Sequence, residues 1–304
     1  MENNQNIPQE QKKSFGHWYQ KHYKHLLILP AILLIFSLFY LSSFTAKNGD
    51  IIYKDISLTG GTTITVFDKS TNIEELKQNL LPQFPDINLR RITDIRTGEQ
   101  KAFLAESKAT AEELKLAIES QINYELTSEN SSIEFSGESL STGFYKQLRT
   151  ALLIAFVLMA LVVFIIFRTL IPSGAVILSA FADIIMTLAV IDFFGFQLST
   201  AGIIALLMLI GYSVDTDILL TFRLLKSSEG TLDQRLVGAF KTGMTMTLTS
   251  IVAIAAGLFI IYNISEVLRQ MFMIILIGLG FDVFNTWITN ASILKWYMEV
   301  KHKQ

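Results

Sequence analysis

Asp215-Thr216-Asp217 interrupts a hydrophobic run, Leu198 to Phe222, that is long enough to cross a bilayer. A carboxylate at bilayer depth costs roughly 2.5–3.5 kcal/mol on insertion scales, so two within three residues imply a bundle interior or a water-filled cavity. Neighbouring runs hold more polar groups. Ser179, Asp183 and Thr187 follow one another at four-residue intervals and share a helical face, as do Ser213, Asp217 and Thr221. Asp215 falls on the opposite side, in line with Gly211 and Tyr212, where a glycine would let a neighbouring helix approach closely. A further run presents Asp282, Asn285 or Thr286, Thr289 and Asn290, and another begins at Lys241 and continues through Thr242, Thr245 and Thr249. Hydroxyls and amides in such seams join helices. A buried carboxyl is expected to be neutral or paired, and one that changes protonation as a cavity opens is the physical basis of a proton relay. The competing reading of Asp183 and Asp282 is a permanent ion pair or a fixed hydrogen bond. A proton relay has an energy source, because one charge crossing 100 mV is worth ~2.3 kcal/mol.

Those seams need helices to carry them. Of the 304 residues 51% are apolar, and runs near the ~20 residues of a crossing helix lie at 26–44, 150–167, 172–194, 198–222, 242–262 and 270–294. Six transmembrane helices are predicted. Lys12, Lys13, Lys21 and Lys24 precede the first run and place the N-terminus in the cytoplasm by the positive-inside rule. Alternation then puts Arg168, then Arg223, Lys226, Arg235 and Lys241, and finally Lys295, Lys301 and Lys303 on the same side. Arg269 is the exception among the short outer connections, with Glu266 three residues earlier as a pairing candidate. The first run exceeds the ~7–15 residues of a signal-peptide core and no A-x-A site follows, so an uncleaved anchor is expected. The predicted division is a cytoplasmic segment 1–25, a first helix 26–44, a head 45–147, a five-helix bundle 148–295 and a cytoplasmic tail 296–304.

The head has ordinary soluble composition. Thr62 to Phe67 alternates like a strand, and Asn72 to Leu81 reads as a helix capped by Asn72. Ile87 to Ile95 and Lys101 to Glu106 form a hairpin through Arg96-Thr97-Gly98-Glu99. Thr110 to Ile122 is a second helix and Ser132 to Ser136 a last strand. The order βαββαβ predicts an α+β, ferredoxin-like extracytoplasmic domain with both helices on one face of a four-stranded antiparallel sheet. It has no phosphate loop, histidine or evident nucleophile, so binding or movement is expected of it rather than catalysis.

Several classes are excluded. The absence of cysteine removes disulfides, thiolate nucleophiles and Cys-based metal sites. His17, His22 and His25 cluster before the first run and His302 lies in the tail, where they read as solvated. No metal, cofactor or nucleic-acid partner is expected.

At this point the residues resemble a family. Gly211-Tyr212-Ser213-Val214-Asp215-Thr216-Asp217, with Arg223 beyond it, resembles the fourth-span signature of SecF, the protein-export subunits that partner SecD. Thr59-Gly60-Gly61-Thr62 resembles that family's T-G-G-T element. Asp282 to Asn290, read as D-x-x-N-T-W-x-x-N, and Phe240-Lys241-Thr242-Gly243 are similar to its archaeal branch. The resemblance implies a non-enzymatic subunit of an accessory SecDF complex in the cytoplasmic membrane, built like half of an RND-superfamily transporter. Its implied partners are SecD, the Sec translocon channel, preproteins and the lipid bilayer, with the proton-motive force as energy source. The bacterial SecF pattern resembles G-Y-S-x-N-D-T and puts its carboxylate where this chain has Thr216. The bacterial SecD pattern, similar to G-x-x-V-D-A-N, puts it at Asp215. The resemblance therefore ranks Asp215 first and Asp217 second, with Lys241 standing where bacterial SecF has an arginine. A lysine can pair with an aspartate, though not through a planar fork.

Three rivals remain. An intramembrane aspartyl protease needs G-x-G-D, which Gly278-Leu279-Gly280-Phe281-Asp282 approximates with one residue too many. A stand-alone RND-type exporter of small molecules or lipids would repeat the six spans and head, which occur here once. A structural scaffold for the Sec channel would use the aspartates only as helix contacts.

Overall fold

The computed structural model describes residues 22–94, 97–227, 230–262 and 265–301. Lys12, Lys13, Lys21, His17, Arg96, His302 and Lys303, and the side chain of Glu266, lie outside the described residues. Among the described residues six helices are long and apolar enough to cross a membrane: His22–Asn48, Glu138–Phe167, Leu170–Phe193, Thr200–Lys226, Leu232–Ile261 and Val267–Lys301.

The chain enters through α1 (Ile28–Asn48) and a short α2 (Ile56–Thr59), then builds a small domain. Its order is β1 (Gly61–Val66), α3 (Ile73–Leu80), β2 (Asn88–Thr93), β3 (Gln100–Ser107), α4 (Ala111–Ile122) and β4 (Ser131–Ser136). The strands form one antiparallel sheet ordered β2-β3-β1-β4. Local chemistry sets the helix starts. Asn72 accepts from the Glu74 N–H at the head of α3, and Thr110 and Glu113 form a reciprocal capping box on α4. Ile64, Val66, Phe103 and Ala105 from the sheet meet Leu76, Leu80, Leu114 and Ile118 from the helices in one core. Each large side chain buried there stabilises the domain by roughly 1.5–3 kcal/mol.

A turn between β1 and α3 is held by Asp68. Burial works against ionisation of its carboxyl, but hydrogen bonds from Thr71, Ser70 and Tyr124 outweigh that effect and hold it below the usual carboxylate range. A depressed native pKa contributes stability above the ordinary value of ~3.9, and that stability is lost as the pH falls. Asp68→Asn is therefore expected to destabilise the domain by about 1 kcal/mol at pH 7. Amide exchange in β1 and β3, corrected for its intrinsic pH dependence, should show the difference narrowing below pH ~4. A difference that stays constant there rules out the carboxylate as its source.

The domain joins the bundle at a tight junction. Gly60 and Gly61 have φ of 86° and 144°. A Cβ on Gly60 would lie 2.5 Å from the Glu138 Cα, and one on Gly61 would lie 2.5 Å from the Ser107 carbonyl oxygen. Thr62, fully buried, donates from Oγ1 to the Ala109 carbonyl at 2.7 Å. Thr59-Gly60-Gly61-Thr62 is thus a place where backbone passes against backbone. Nearby, Leu198 donates its N–H to the Tyr53 carbonyl at 2.6 Å, and Asp55 donates its own to the Leu198 carbonyl at 3.1 Å, which bridges the stem to the connection after the third span. The Tyr145 hydroxyl donates to Asp50 at 2.8 Å, and Lys54 pairs with Asp50 at 3.0 Å.

The remaining elements are α5 (Glu138–Phe167), α6 (Leu170–Phe193), α7 (Thr200–Lys226), α8 (Leu232–Ile261) and α9 (Glu266–Phe284). A π-helix, Asn285–Asn290, then leads into α10 (Ala291–Lys301). α5 starts well before the apolar run at 150–167, because its polar first turns lie beyond the apolar stretch, and the head boundary at 147 falls inside it. Centrality in the bundle is unequal. The apolar windows of α6 and α7 are 67% and 56% buried, whereas those of α5 and α8 are 11% and 6% buried. At the end of the bundle away from the small domain, Lys295 lies almost fully inside, paired with Asp233 at 2.9 Å and 5.3 Å from the Tyr23 ring centroid. The Tyr23 hydroxyl donates to Glu299 at 2.6 Å.

Candidate functional site: a buried carboxyl cluster

Three spans bring Asp183, Asp217 and Asp282 into one polar centre, with each residue at most 1% exposed. Asp183 comes from the middle of α6, one of the two most buried spans. Its Oδ2 accepts from Ser213 Oγ of α7 at 2.5 Å, and its Oδ1 accepts from Asn285 Nδ2 of the π-helix at 2.7 Å. Asp282, from the last turn of α9, accepts from Thr286 Oγ1 at 3.1 Å and from Thr216 Oγ1 at 3.3 Å. Asp217 accepts from Asn290 Nδ2 at 2.7 Å. Thr289 Oγ1 lies 3.3 Å from Asn285 Oδ1 and donates to it.

Every donor in these bonds is a neutral hydroxyl or amide. Among the described residues no Lys or Arg forms an ion pair with any of the three carboxyls. Among the described residues Asn290 Oδ1 and Thr187 Oγ1 have no hydrogen-bond partner, and Ser179 Oγ approaches Asp217 without a well-aligned bond. The polar stripe of α6 is therefore only partly used, since Asp183 is firmly bonded while Thr187 one turn on is not.

The π-helix explains how one span supplies so many of the partners. Its wider turn packs more residues per turn onto one face than an α-helix does, and such segments recur at functional sites. Asn285, Thr286, Thr289 and Asn290 all point inward, each at most 8% exposed. Sequence periodicity placed Asn285 or Thr286 on the polar face as alternatives, because α-helical spacing leaves room for one. The doubled pairs Asn285-Thr286 and Thr289-Asn290 are the signal that the turn widens. Thr216, given no role of its own by the sequence, places its hydroxyl between the Ser213 carbonyl at 3.0 Å and Asp282 at 3.3 Å.

Other expected site residues lie elsewhere. Asp215 is exposed on the outer stripe of α7 with Gly211 and Tyr212, away from the three buried acids. Among the described residues the close helix approach expected at Gly211 is absent, since a Cβ there would meet none of them within 4 Å. Spacing gave the direction of that face but not whether a neighbour in this chain covers it. Lys241 is exposed, and the seam of α8 does not join the cluster. Thr242, Thr245 and Thr249 instead donate back to the carbonyls of Gly238, Lys241 and Thr245 on their own helix. Arg223 packs over Gly238, with its Nη1 3.2 Å from where a Cβ would stand.

Residues 118–300 match the family model described as Protein export membrane protein SecD/SecF, C-terminal. Over 281 residues the chain is 38% identical to Protein-export membrane protein SecF of Methanolacinia petrolearia, covering 91% of this chain and 94% of that one. The chain belongs to the SecF family of protein-export membrane proteins. SecF of Methanocaldococcus jannaschii is 36% identical over 284 residues, covering 91% of this chain and 96% of that relative. The SecF-family chain also shares its fold with a crystal structure of SecDF, a translocon-associated membrane protein from Thermus. The TM-score is 0.71 at 19% identity, over 92% of this chain and 38% of the longer one. A second SecDF structure, in a super-membrane-facing form, gives 0.61 at 21% identity over 94% of this chain and 39% of that one. This SecF-family chain therefore spans under half the length of the SecDF chains it resembles.

Proposed function

We propose that this SecF-family chain acts with SecD as an accessory subunit of the Sec translocon channel. In this role it uses proton movement through its buried carboxyls to assist preproteins across the cytoplasmic membrane. The observation that carries the reading is the cluster itself. Three carboxyls held only by neutral donors cannot all ionise without placing like charges together in a closed polar centre. An ionised Asp217 can only accept and Asn290 Oδ1 has no donor, so a proton on Asp217 adds a donor to a centre short of them. Proton number and packing are thereby linked at a point where α6, α7 and the π-helix meet.

The outer stripe of α7 supports a partner. Gly211, Tyr212 and Asp215 lie exposed at membrane depth with Lys241 exposed on the neighbouring helix, and a carboxylate facing lipid is costly. SecD packed on this face covers them, and Asp215 then acts across the interface, paired or exchanging a proton. The βαββαβ domain is read as a ferredoxin-like head outside the cytoplasmic membrane, with both termini inside, because Lys24, Arg168, Arg223, Lys226 and Lys295 then share the cytoplasmic side. The head contacts preprotein and transmits the motion.

Two measurements test this. Purification from native membranes, with the bound chains identified, is expected to yield SecD; recovery of the chain alone removes the partner reading. Export into sealed vesicles is expected to depend on the proton gradient in the parent and to lose that dependence in Asp217→Asn. Unchanged gradient dependence in the variant favours a structural scaffold.

A further inference from the structure

Arg269 is the lone basic residue in the two short connections on the side of the bundle that bears the small domain. It breaks the charge pattern that the other loops follow, and the structure gives it a setting. With Arg90 of β2 it lines a cavity of ≈ 100 Å³ between the small domain and the ends of the spans. The wall continues along α9 as Met273, Ile274 and Ile277, the last being eight residues or about 12 Å further into the membrane-crossing segment. The lining thus combines two basic side chains, near the small domain and the start of α9, with a run of apolar ones further along α9.

The mouth is braced. Gln270 accepts from the Ser199 N–H at 3.1 Å and from the Ser199 hydroxyl, and donates to the Gln197 carbonyl, which fixes the connection before α7 against α9. Arg269 lies 5.2 Å from the Tyr262 ring centroid and donates to its carbonyl, and Arg90 pairs with Glu106 at 3.4 Å. A guanidinium has five donors in a fixed fork, so one side chain can serve a protein neighbour and a phosphate together. Phe196, exposed and part of the lining, adds the aromatic character typical of a membrane interface.

We infer that this cavity binds an anionic phospholipid, with the phosphate between Arg90 and Arg269 and an acyl chain along Met273, Ile274 and Ile277. The cationic mouth selects phosphate, and the aliphatic wall selects an anion that carries a tail. The site joins β2 of the small domain to α9 through a molecule of the bilayer. It stands whether or not the carboxyl cluster moves protons.

The test uses the detergent-purified full chain and dihexanoyl-phosphatidylglycerol below its micelle concentration, with binding followed by calorimetry. Dihexanoyl-phosphatidylcholine and inorganic phosphate are the comparison ligands. The phosphatidylglycerol is expected to bind at least tenfold more tightly than either, and Arg269→Gln and Arg90→Gln are each expected to weaken it by about tenfold. Ile277→Trp fills the aliphatic end without changing charge and is expected to weaken it too. Equal affinity for inorganic phosphate makes this a simple anion site and overturns the lipid assignment. Equal affinity for the phosphatidylcholine removes the role of charge, and unchanged binding in all three variants removes the site.

Discussion

Asp183→Asn is expected to leave the bundle folded and to reduce gradient-dependent export at least tenfold. Asparagine matches the volume of the acid and offers both an acceptor and a donor. Asn285 Nδ2, 2.7 Å from Oδ1, and Ser213 Oγ, 2.5 Å from Oδ2, can therefore both stay bonded. What is lost is the ability to exchange a proton. Asp183→Leu has a different expected result. It removes both bonds and leaves a hydroxyl and an amide buried without partners, at about 1–3 kcal/mol for each group. The melting temperature in detergent should fall for the leucine variant and hold within a few degrees for the asparagine variant. Full gradient-dependent export by Asp183→Asn would show that this carboxyl serves only as a hydrogen-bond acceptor.

Gly60→Ala and Gly61→Ala are expected to be the most destabilising single-methyl changes at the base of the small domain. Each combines a backbone conformation that side chains rarely adopt, at about 1–3 kcal/mol, with a methyl forced into another main-chain segment, at roughly 1–3 kcal/mol more. The atoms struck are the Cα of Glu138 and the carbonyl of Ser107, which belong to regular elements and cannot rotate away as a side-chain tip could. Gly98→Ala is the internal control. Its φ is 70°, yet a Cβ there meets nothing within 4 Å, so it carries the conformational cost without the collision. Amide exchange across β1 and the start of α5 should therefore rise strongly for the junction variants and only slightly for Gly98→Ala. Equal effects at all three positions would mean that backbone conformation, and not the close passage, is what these glycines serve.

Much of this architecture was legible in the sequence because its signals are local. Six apolar runs mark the spans, since length and hydropathy need no knowledge of neighbours. The small domain's element order follows from alternation, from Asn72 and Thr110 as caps, and from the glycine at 98. The shared faces of Ser179-Asp183-Thr187 and Ser213-Asp217-Thr221 follow from α-helical spacing alone. What could not be read depends on partners or on departures from that spacing. The π-turn alters the period itself, so a fixed repeat offers Asn285 or Thr286 beside Asp282, Thr289 and Asn290, but not both. The hydroxyls of Thr245 and Thr249 choose between a neighbouring helix and their own carbonyls, a choice set by tertiary packing. Whether Asp215 is covered also depends on what lies opposite, and among the described residues none covers it. Arg269 stood out in the sequence as an irregularity of charge, and only the position of Arg90 gives that irregularity a chemical partner in space.

The paired main-chain bonds between Leu198 and the Tyr53 to Asp55 stem carry a mechanical consequence. Two short bonds in one bridge share a load, so neither lengthens far while the other holds, and they part together. While both bonds hold, the position of the small domain is tied to that of the connection between the third and fourth spans, so the two shift as one piece.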